Sequence, residues 1–169
     1  KEFHGKPIIQ YSIELARDCG LFDLVVVSTD DADIANVARV CRVQAVQRSE
    51  QMCQDRVGTQ EVASDFVAEN QQLHITHLCV IYATAPLLSF RFLADGITRL
   101  GTNDYAMGVG AEPLRDAGQF YWGHASSFLH GRPLVGPRTV MIPIPEIRVC
   151  DINTPEDWAE AERKYKALQ

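Results

Sequence analysis

The sequence predicts a single α/β domain over residues 1–169, with three layers: a mostly parallel, twisted sheet and helices on both of its faces. Continuous apolar runs that suit strands buried on both faces alternate with amphipathic, helix-period segments. With 46% hydrophobic and 22% charged residues, the 169-residue chain has ordinary globular composition and enough length for one core. No internal repeat, low-complexity tract or linker divides it.

Net charge and cysteine content narrow the class of partner. Sixteen basic against 22 acidic side chains give a net charge of −6, which argues against a nucleic-acid binder. A small anionic substrate would then be held by local basic groups and cations. No apolar run approaches the roughly 18 residues of a membrane span, so no membrane partner is expected. The five cysteines have no C-x-x-C spacing and indicate reduced thiols in a cytoplasmic protein.

The first half of the chain reads as alternating helices and strands. Apolar residues at 8, 9, 13 and 16 predict an opening helix over Pro7–Arg17. The run LVVVS, 24–28, predicts a buried strand, and the next helix, 34–41, would be capped by Asp30 or Asp31. A short strand at 43–46, a polar loop and a helix over 60–70 follow. The motif STDD, 28–31, could also suggest a phospho-receiver pocket.

The second half begins with the same alternation and then loses it. HLCVIYATAP, 77–86, predicts a strand, residues 93, 97 and 100 mark a helix, and DYAMGVGA, 104–111, predicts the next strand. Another apolar strand, 118–123, comes with little room for a crossover. RTVMIPIP and EIRVCDI predict two more extended segments before a final helix. His74 and His77 are three apart without partner ligands, so surface histidines are favoured over a zinc site.

The stretch VCDINTPEDW, 149–158, places Asp151 between an apolar run and a helix start. Ile147, Val149 and Ile152 have the β-branched bias of a strand, and Thr154 begins a helix-capping pattern. Asp151 is therefore expected near the carboxyl end of a strand, the edge of an α/β sheet where ligands bind. There a carboxylate can hold a divalent cation against a phosphate. Alternatively, Asp151 accepts hydrogen bonds from loop amides.

Two further stretches carry candidate binding groups. Arg48 lies in a polar loop ahead of Gly58 and Thr59, which open a helix, and such a helix end is a competent phosphate or base-edge site. A solvated loop is the alternative. DAGQFYWG, 116–123, brings the Gln119 amide and the Tyr121 phenol onto one strand, a mixture used against sugars, although strand aromatics are commonly core residues.

Taken together, four stretches resemble one family: GKPIIQYSIELARDCGLFDLVVVSTDDADIANVA, YATAPLLS, DAGQFYWG and DINTPEDWAEAERKYKAL. They are similar to the CMP-sialic acid synthetases, the acylneuraminate cytidylyltransferases, and DAGQFYWG is similar to the pseudaminic acid branch. The resemblance implies a Rossmann-like fold of the nucleotide-diphospho-sugar transferase type. It also implies a reaction of CTP with a nine-carbon 2-keto sugar acid to give a CMP-sugar and pyrophosphate, with Mg²⁺ and a homodimer.

The resemblance also implies roles for individual residues. Asp151 is similar to the family's first metal-binding aspartate and is the implied catalytic residue. Asn153 stands where many members have a second aspartate, and its uncharged amide would weaken cation binding. The implied cytidine-pocket residues are Arg48, Gly58 and Thr59. The implied sugar-binding residues are Tyr82, Thr84, Gln119 and Tyr121.

Besides Asn153, the chain departs from the family pattern in three places. Tyr82 replaces a glutamine of the sialic acid enzymes, which favours a sugar other than sialic acid. Family members begin with a strand and a Gly-rich loop that grips the triphosphate, and they have a segment between GVGAEPL and RDAGQ, near 114–115. Both are expected to belong to a longer protein of which residues 1–169 are a part. Alternatives are a sialic or legionaminic acid enzyme, or a non-catalytic nucleotide-binding domain of the same fold.

Overall fold

The computed structural model describes residues 1–54, 56–111 and 113–169 as alternating strands and helices. The strands are β1 (Glu2–Phe3), β2 (Lys6–Pro7), β3 (Val26–Thr29), β4 (Gln44–Gln47), β5 (His77–Ile81), β6 (Tyr105–Ala111), β7 (Leu114–His124) and β8 (Thr139–Ile144). The helices are α1 (Ile8–Asp18), α2 (Ala32–Val40), α3 (Thr59–Glu69), α4 (Phe90–Leu100), α5 (Ala125–Leu129) and α6 (Pro155–Ala167). Within these ranges, no helix is long and apolar enough to cross a membrane.

The larger strands form two sheets. Strands β3 and β4 pair in parallel, and a four-stranded sheet has the order β5-β7-β6-β8. Strand β7 runs antiparallel to both β5 and β6, whereas β6 and β8 are parallel. Strands β5, β6 and β8 therefore share one direction, and β7 is the reversed strand in an otherwise parallel arrangement. The predicted α/β class is confirmed.

The reversal of β7 explains why the sequence leaves no room for a crossover after β6. The two strands form a hairpin in which Ala111 faces Leu114, and the connection passes through residue 112, which lies outside the described residues. The register shifts between Met107 and Val109, so β7 carries extra residues at a bulge. Within this bulge, Gly118 has a φ of +60°, in the left-handed region that favours glycine.

The two faces of β7 build two parts of the core. Phe120 and Trp122 pack with helix α4, and the Trp122 indole donates a hydrogen bond to the Leu93 carbonyl at 3.0 Å. Their fit is tight at Gly96 of α4, where a Cβ would lie 2.7 Å from Trp122 Cδ1. On the opposite face, Tyr121 packs with Met107 and Val109, and Tyr105 of β6 packs with Ala63 of α3 and Phe128 of α5. Helices therefore cover both faces of the four-stranded sheet, as the three-layer prediction requires.

Two helix caps agree with the sequence. The Asp31 side chain accepts hydrogen bonds from the backbone N–H groups of Asp33 and Ile34, so Asp31 is the cap of α2. Thr154 caps α6, and Asp157 reaches back to the Thr154 N–H at 2.8 Å. Asp31, the last residue of the STDD motif, therefore caps a helix.

Three details of the predicted elements are wrong. A short β1–β2 hairpin precedes the first helix, and the five-residue helix α5 was not predicted. The segment EIRVCDI is not a strand: Glu146–Arg148 form a 3-10 turn, closed by a 2.8 Å bond from the Arg148 N–H to the Pro145 carbonyl. Proline begins this turn because its φ is fixed and it has no N–H to give to a ladder.

A cavity separates the two sheets. In the described part of the chain, β3 pairs only with β4, and β5 pairs only with β7, so the facing edges of β3 and β5 have no strand partner. Between them lies a cavity of about 800 Å³, lined along its length by Val25–Ser28 and Leu78–Tyr82. Apolar side chains of α1 and α3 also line it. The cavity thus lies between the two sheets, and side chains of both helices form part of its wall.

Successive backbone N–H groups of β5 point alternately toward its partner strand β7 and toward this cavity. The Tyr82 N–H donates to the Gln119 carbonyl at 2.9 Å, which makes these residues a hydrogen-bonded pair of the antiparallel ladder. Because such pairs alternate, Leu78 and Val80 also bond to β7. The N–H groups of Cys79 and Ile81 therefore point toward the cavity.

This alternation predicts an exchange pattern within a single strand. We expect the amide hydrogens of Cys79 and Ile81 to exchange with solvent on the order of 100-fold faster than those of Leu78 and Val80, since only the latter pair is held by β7. Residue-resolved hydrogen exchange by NMR measures all four rates in one sample. Uniform protection along β5 would contradict the open edge.

Candidate active site

Polar side chains gather where the cavity reaches the ends of β3, β4 and β5. Ser28, Arg48, Thr59 and Tyr82 all line it there. The Arg48 guanidinium donates to the Ser28 hydroxyl at 3.2 Å and to the Ser28 carbonyl at 2.8 Å, so its position is fixed by the end of β3. Three of the residues named from the sequence, Arg48, Thr59 and Tyr82, therefore share one cavity wall.

The amino end of α3 contributes Thr59 but not Gly58 to this wall. Gly58 is the residue before the helix and is exposed, and its N–H donates to the Glu61 carboxylate at 2.7 Å. Thr59, at the first helical position, lies with its hydroxyl oxygen 2.8 Å from the Tyr82 hydroxyl. The Gly58 N–H is thus bonded to Glu61 of the same helix, and Thr59 faces the cavity.

The Tyr82 phenol connects the cavity wall to strand β7. It donates to the Tyr121 hydroxyl at 3.3 Å, and the two rings meet edge to face with centroids 5.6 Å apart. Tyr121 is 5% exposed and donates to the Asp116 carboxylate at 2.5 Å. Burial, and next the bond to Asp116, raise the pKa of the Tyr121 phenol, so the hydroxyl keeps its proton.

Gln119 lies on the same strand as Tyr121 but inside the protein. It is 0% exposed, and its Nε2 donates to the Arg148 carbonyl at 2.5 Å. Its Oε1 is buried and finds no donor among the described residues. Exchanging the two amide atoms would set Oε1 against a carbonyl, so the orientation is fixed. Gln119 therefore holds the segment before Asp151 against β7, and its role toward a sugar stays a prediction.

Asp151 lies against the bulge of β7 at Gly118, the residue before Gln119. A Cβ built on Gly118 would lie 2.7 Å from Asp151 Oδ1, so the absence of a side chain at Gly118 makes room for this carboxylate. Asp151 is exposed and follows the buried pair Val149 and Cys150. Asp151 therefore lies beside the Gln119–Tyr121 strand, brought there by the 3-10 turn and not by a strand. It is not among the residues that line the cavity, so its role as a metal ligand stays a prediction.

Asn153 and Thr84 lie apart from the cavity wall. Asn153 is exposed, and its backbone N–H donates to the Asp157 carboxylate at 3.0 Å, at the entry to α6. Thr84 is half-buried in the turn after β5, and the cavity lining ends at Ala83 on this side. Their predicted roles in metal and sugar binding stay predictions.

The donor set at Asp151 restricts which metal could bind. Among the residues that the structure describes, no group of three or more His, Cys, Asp or Glu side chains is placed to hold an ion. Mg²⁺ is the hard cation that needs fewest protein ligands, because it is usually bound by one or two carboxylates together with substrate phosphates and water. An exposed Asp151 with a nearby amide fits such a shared site and does not fit a closed protein cage.

Two residues of the site were missed from the sequence. Ser28 lies in β3, one residue before the strand ends, and anchors Arg48. Within STDD it was considered only for a helix cap or a phospho-receiver pocket. Asp116 accepts from both the Gly118 N–H, at 2.8 Å, and the Tyr121 hydroxyl. The signal for Asp116 was the spacing D-x-G, in which an aspartate side chain commonly accepts from the amide two residues later.

Comparison with known proteins identifies this architecture. A family model described as cytidylyltransferase matches residues 1–130, about three quarters of the chain. The chain belongs to the cytidylyltransferase family. It is therefore a nucleotidyltransferase, and the cavity wall with its arginine and hydroxyl groups is the candidate active site of this cytidylyltransferase.

This cytidylyltransferase is similar in sequence to curated relatives. A pseudaminic acid cytidylyltransferase of Campylobacter jejuni is 28% identical over 203 residues, which cover 98% of this chain and 88% of the relative. Because that alignment is longer than the 169-residue chain, the relative contains positions without a counterpart here.

Two solved structures share the fold. One, of a CMP:2-keto-3-deoxy-manno-octonic acid synthetase complexed with CTP, has a TM-score of 0.77, with 11% identity, and covers all of this chain and 91% of its own. The other, Rv0371c of Mycobacterium tuberculosis in complex with manganese, has a TM-score of 0.69, with 12% identity, and covers 96% of this chain and 89% of its own.

Replacing Gly118 with alanine tests whether the Asp151 carboxylate must sit against the β7 bulge. The new Cβ would lie 2.7 Å from Asp151 Oδ1, so the carboxylate has to move. We expect pyrophosphate release by the Gly118→Ala variant to fall by at least about tenfold, because a misplaced catalytic group costs rate steeply.

Gly131→Ala is the matched control. Gly131 also has a positive φ, +58°, but nothing lies within 4 Å of its built Cβ. Both variants should lose about 1–2 kcal/mol of unfolding free energy from left-handed strain, measured by urea titration. If both also retain full activity, the position of Asp151 does not matter for turnover.

Proposed function

We propose that this cytidylyltransferase activates a nine-carbon 2-keto sugar acid, converting CTP and pseudaminic acid to CMP-pseudaminic acid and pyrophosphate for glycan synthesis. The observation that carries the proposal is the double contact of Tyr82, whose phenol bonds Thr59 on the nucleotide side and Tyr121 on the sugar side. The two sets of residues implied by the family resemblance thus meet at one side chain. The near full-length similarity to pseudaminic acid cytidylyltransferases supports the same sugar.

The proposed chemistry is an in-line displacement at phosphorus. The anomeric hydroxyl oxygen of the sugar acid forms a bond to the α-phosphorus of CTP, the bond from that phosphorus to the bridging oxygen breaks, and pyrophosphate leaves with the electron pair. The hydroxyl proton passes to a general base or to solvent. Reactions of this kind depend chiefly on positioning and charge neutralisation.

In this proposal the protein groups act by binding and orientation. Arg48, held by Ser28, supplies a fixed positive charge and planar donors for the nucleotide. Thr59 and Tyr82 supply hydroxyl groups on the same wall. Tyr82 stands where a glutamine is found in sialic acid enzymes, which favours pseudaminic acid over sialic or legionaminic acid.

Asp151 and Asn153 are the proposed protein ligands of the divalent cation, with Mg²⁺ as the expected ion. When bound, such an ion neutralises phosphate charge during displacement. The solved structure of Rv0371c with manganese shows that a protein of this fold can hold a divalent ion. Asp151 contributes the charge of the site, and Asn153 contributes an uncharged oxygen, so a modest affinity is expected.

A panel of sugar acids tests the proposed substrate. The protein is incubated with CTP, Mg²⁺ and pseudaminic, sialic, legionaminic or 3-deoxy-manno-octulosonic acid, and pyrophosphate release is followed. We expect kcat/KM for pseudaminic acid to exceed that for the others by at least about 100-fold, the discrimination expected of a site built around specific polar contacts. Preference for another acid replaces the proposed substrate. Inactivity with every acid, in a protein extended by the proposed strand and Gly-rich loop, favours a non-catalytic nucleotide-binding domain.

Substitutions at Asp151 and Asn153 test the cation site in opposite directions. Asp151→Asn should lower kcat by at least about 100-fold, because the charged ligand is lost. Asn153→Asp should lower the Mg²⁺ concentration for half-maximal rate, because a second carboxylate strengthens oxygen coordination.

Asp33→Asn, at an exposed position on α2, is the control and should match the wild type. Thermal unfolding verifies that each variant is folded. An Asp151→Asn enzyme with normal turnover at limiting Mg²⁺ would remove Asp151 from the mechanism.

We also propose that the part of the cavity along β3 and β5 is filled by a further parallel strand leading into a Gly-rich loop, as the family resemblance implies for a longer protein. The polar end of the cavity, at Arg48, Thr59 and Tyr82, is then left for the nucleotide. Two facing strand edges, apolar walls and a volume of about 800 Å³ support this proposal. Extending the chain at Lys1 with the corresponding segment of a relative should slow exchange of the Cys79 and Ile81 amides and leave Leu78 and Val80 unchanged.

The proposed setting is a cytoplasmic homodimer. All five cysteines are free thiols, which suits a reducing compartment. The dimer is implied by the family resemblance, and analytical ultracentrifugation of the purified protein measures it directly.

A further inference from the structure

Four polar side chains form a continuous row from the surface of β7 to the cavity. Tyr121 donates to Asp116 at 2.5 Å, Tyr82 donates to Tyr121 at 3.3 Å, and the Thr59 oxygen lies 2.8 Å from that of Tyr82. Thr59 and Tyr82 line the cavity, whereas Asp116 and Tyr121 lie behind it. This hydroxyl relay, Asp116–Tyr121–Tyr82–Thr59, therefore connects an acid outside the cavity to its wall.

The carboxylate fixes the direction of every hydrogen bond in the relay. A carboxylate only accepts, so Tyr121 must give its single proton to Asp116. The Tyr121 oxygen can then only accept, and Tyr82 must give its proton to Tyr121. The Tyr82 oxygen in turn accepts from Thr59. Burial raises the pKa of the Tyr121 phenol, so this donor does not lose its proton near neutral pH.

The consequence appears at Thr59, the cavity end of the relay. Its hydroxyl proton is committed to Tyr82, so the oxygen has only lone pairs left for a ligand. Tyr82 likewise donates its one hydroxyl proton to Tyr121. Two hydroxyl groups that could each donate or accept are thereby made into acceptors.

We propose that Asp116, acting through this relay as a positioning residue, makes the active site select cytosine over uracil. Cytosine carries an exocyclic amino group, a donor, where uracil carries a carbonyl oxygen, an acceptor. An acceptor that faces position 4 of the ring pairs with the amino group of cytosine and opposes the carbonyl oxygen of uracil. The inference rests on the proposed function, since it takes the nucleotide to lie against Thr59.

The surroundings of Thr59 suit the edge and face of a nucleobase. Val57 and Val62 line the cavity on either side of it in sequence and offer apolar contact to a flat ring. Arg48 lines the same cavity and supplies the charge that a nucleotide requires. A polar acceptor between apolar side chains can therefore contact both the edge and the face of a base.

Nucleotide binding tests the relay separately from sugar turnover. Dissociation constants for CTP and for UTP are measured by calorimetry in Mg²⁺ for the wild type and for Tyr121→Phe, Asp116→Asn and Thr59→Val. We expect the wild type to prefer CTP, and the CTP-to-UTP preference to fall by about tenfold in Tyr121→Phe, because Tyr82 and Thr59 regain freedom to donate. Asp116→Asn should reduce the preference too, since an amide can also donate.

A conservative substitution and a distant one distinguish an effect of hydrogen-bond direction from a general structural effect. Thr59→Ser keeps the hydroxyl and should retain the preference that Thr59→Val loses. Tyr11→Phe removes a phenol bonded to the Phe3 carbonyl outside the cavity, and it should leave the ratio unchanged. A loss of folding would weaken binding of both nucleotides alike and leave their ratio intact.

The outcomes for the two proposals are distinct. A wild type that binds CTP no tighter than UTP would overturn the inference at Asp116. So would relay variants that bind CTP as tightly as the wild type and keep its CTP-to-UTP ratio. Selective CTP binding without pyrophosphate release from any sugar acid would sustain the relay and reject the proposed reaction.

Discussion

Strand β7 is the constraint on which the rest of the molecule depends. It runs antiparallel between β5 and β6, so its two edges hold the four-stranded sheet together. Its two faces serve different purposes: Trp122 is packed into the core beneath α4, and Tyr121 points to the side of the candidate site. Its bulge, at Gly118, receives the Asp151 carboxylate. Any change in the register of β7 would disturb core and site together.

The alternation of strands and helices was predictable because buried parallel strands and amphipathic helices leave separate periodicities in the sequence. The caps at Asp31 and Thr154 follow local side-chain chemistry and were also predictable. The segment before Asp151 was misjudged because its β-branched residues match a strand, whereas Pro145 forces a turn. Side-chain bonds from Gln119 and Arg148 then hold that turn, and such long-range contacts have no signature in sequence.

The sequence predicted which residues belong to the site better than it predicted how those residues are arranged. Family resemblance suggested Arg48, Thr59 and Tyr82, and the fold brings these three to one wall. The burial of Gln119 could not be foreseen, because a bulge changes which side chains of a strand face a given layer. Asp116 was overlooked since a lone acid near a glycine resembles an ordinary turn. Its importance emerges only when Tyr121 is seen to bond with it across the bulge.

The cavity between β3 and β5 also bears on how the protein behaves in a concentrated solution. Unpaired strand edges are the surfaces on which separate chains join into intermolecular sheets. Here both edges are recessed between α1 and α3, whose side chains line the cavity. A single extended segment that entered this space would pair with the free edge of each sheet at once and join the two sheets into one.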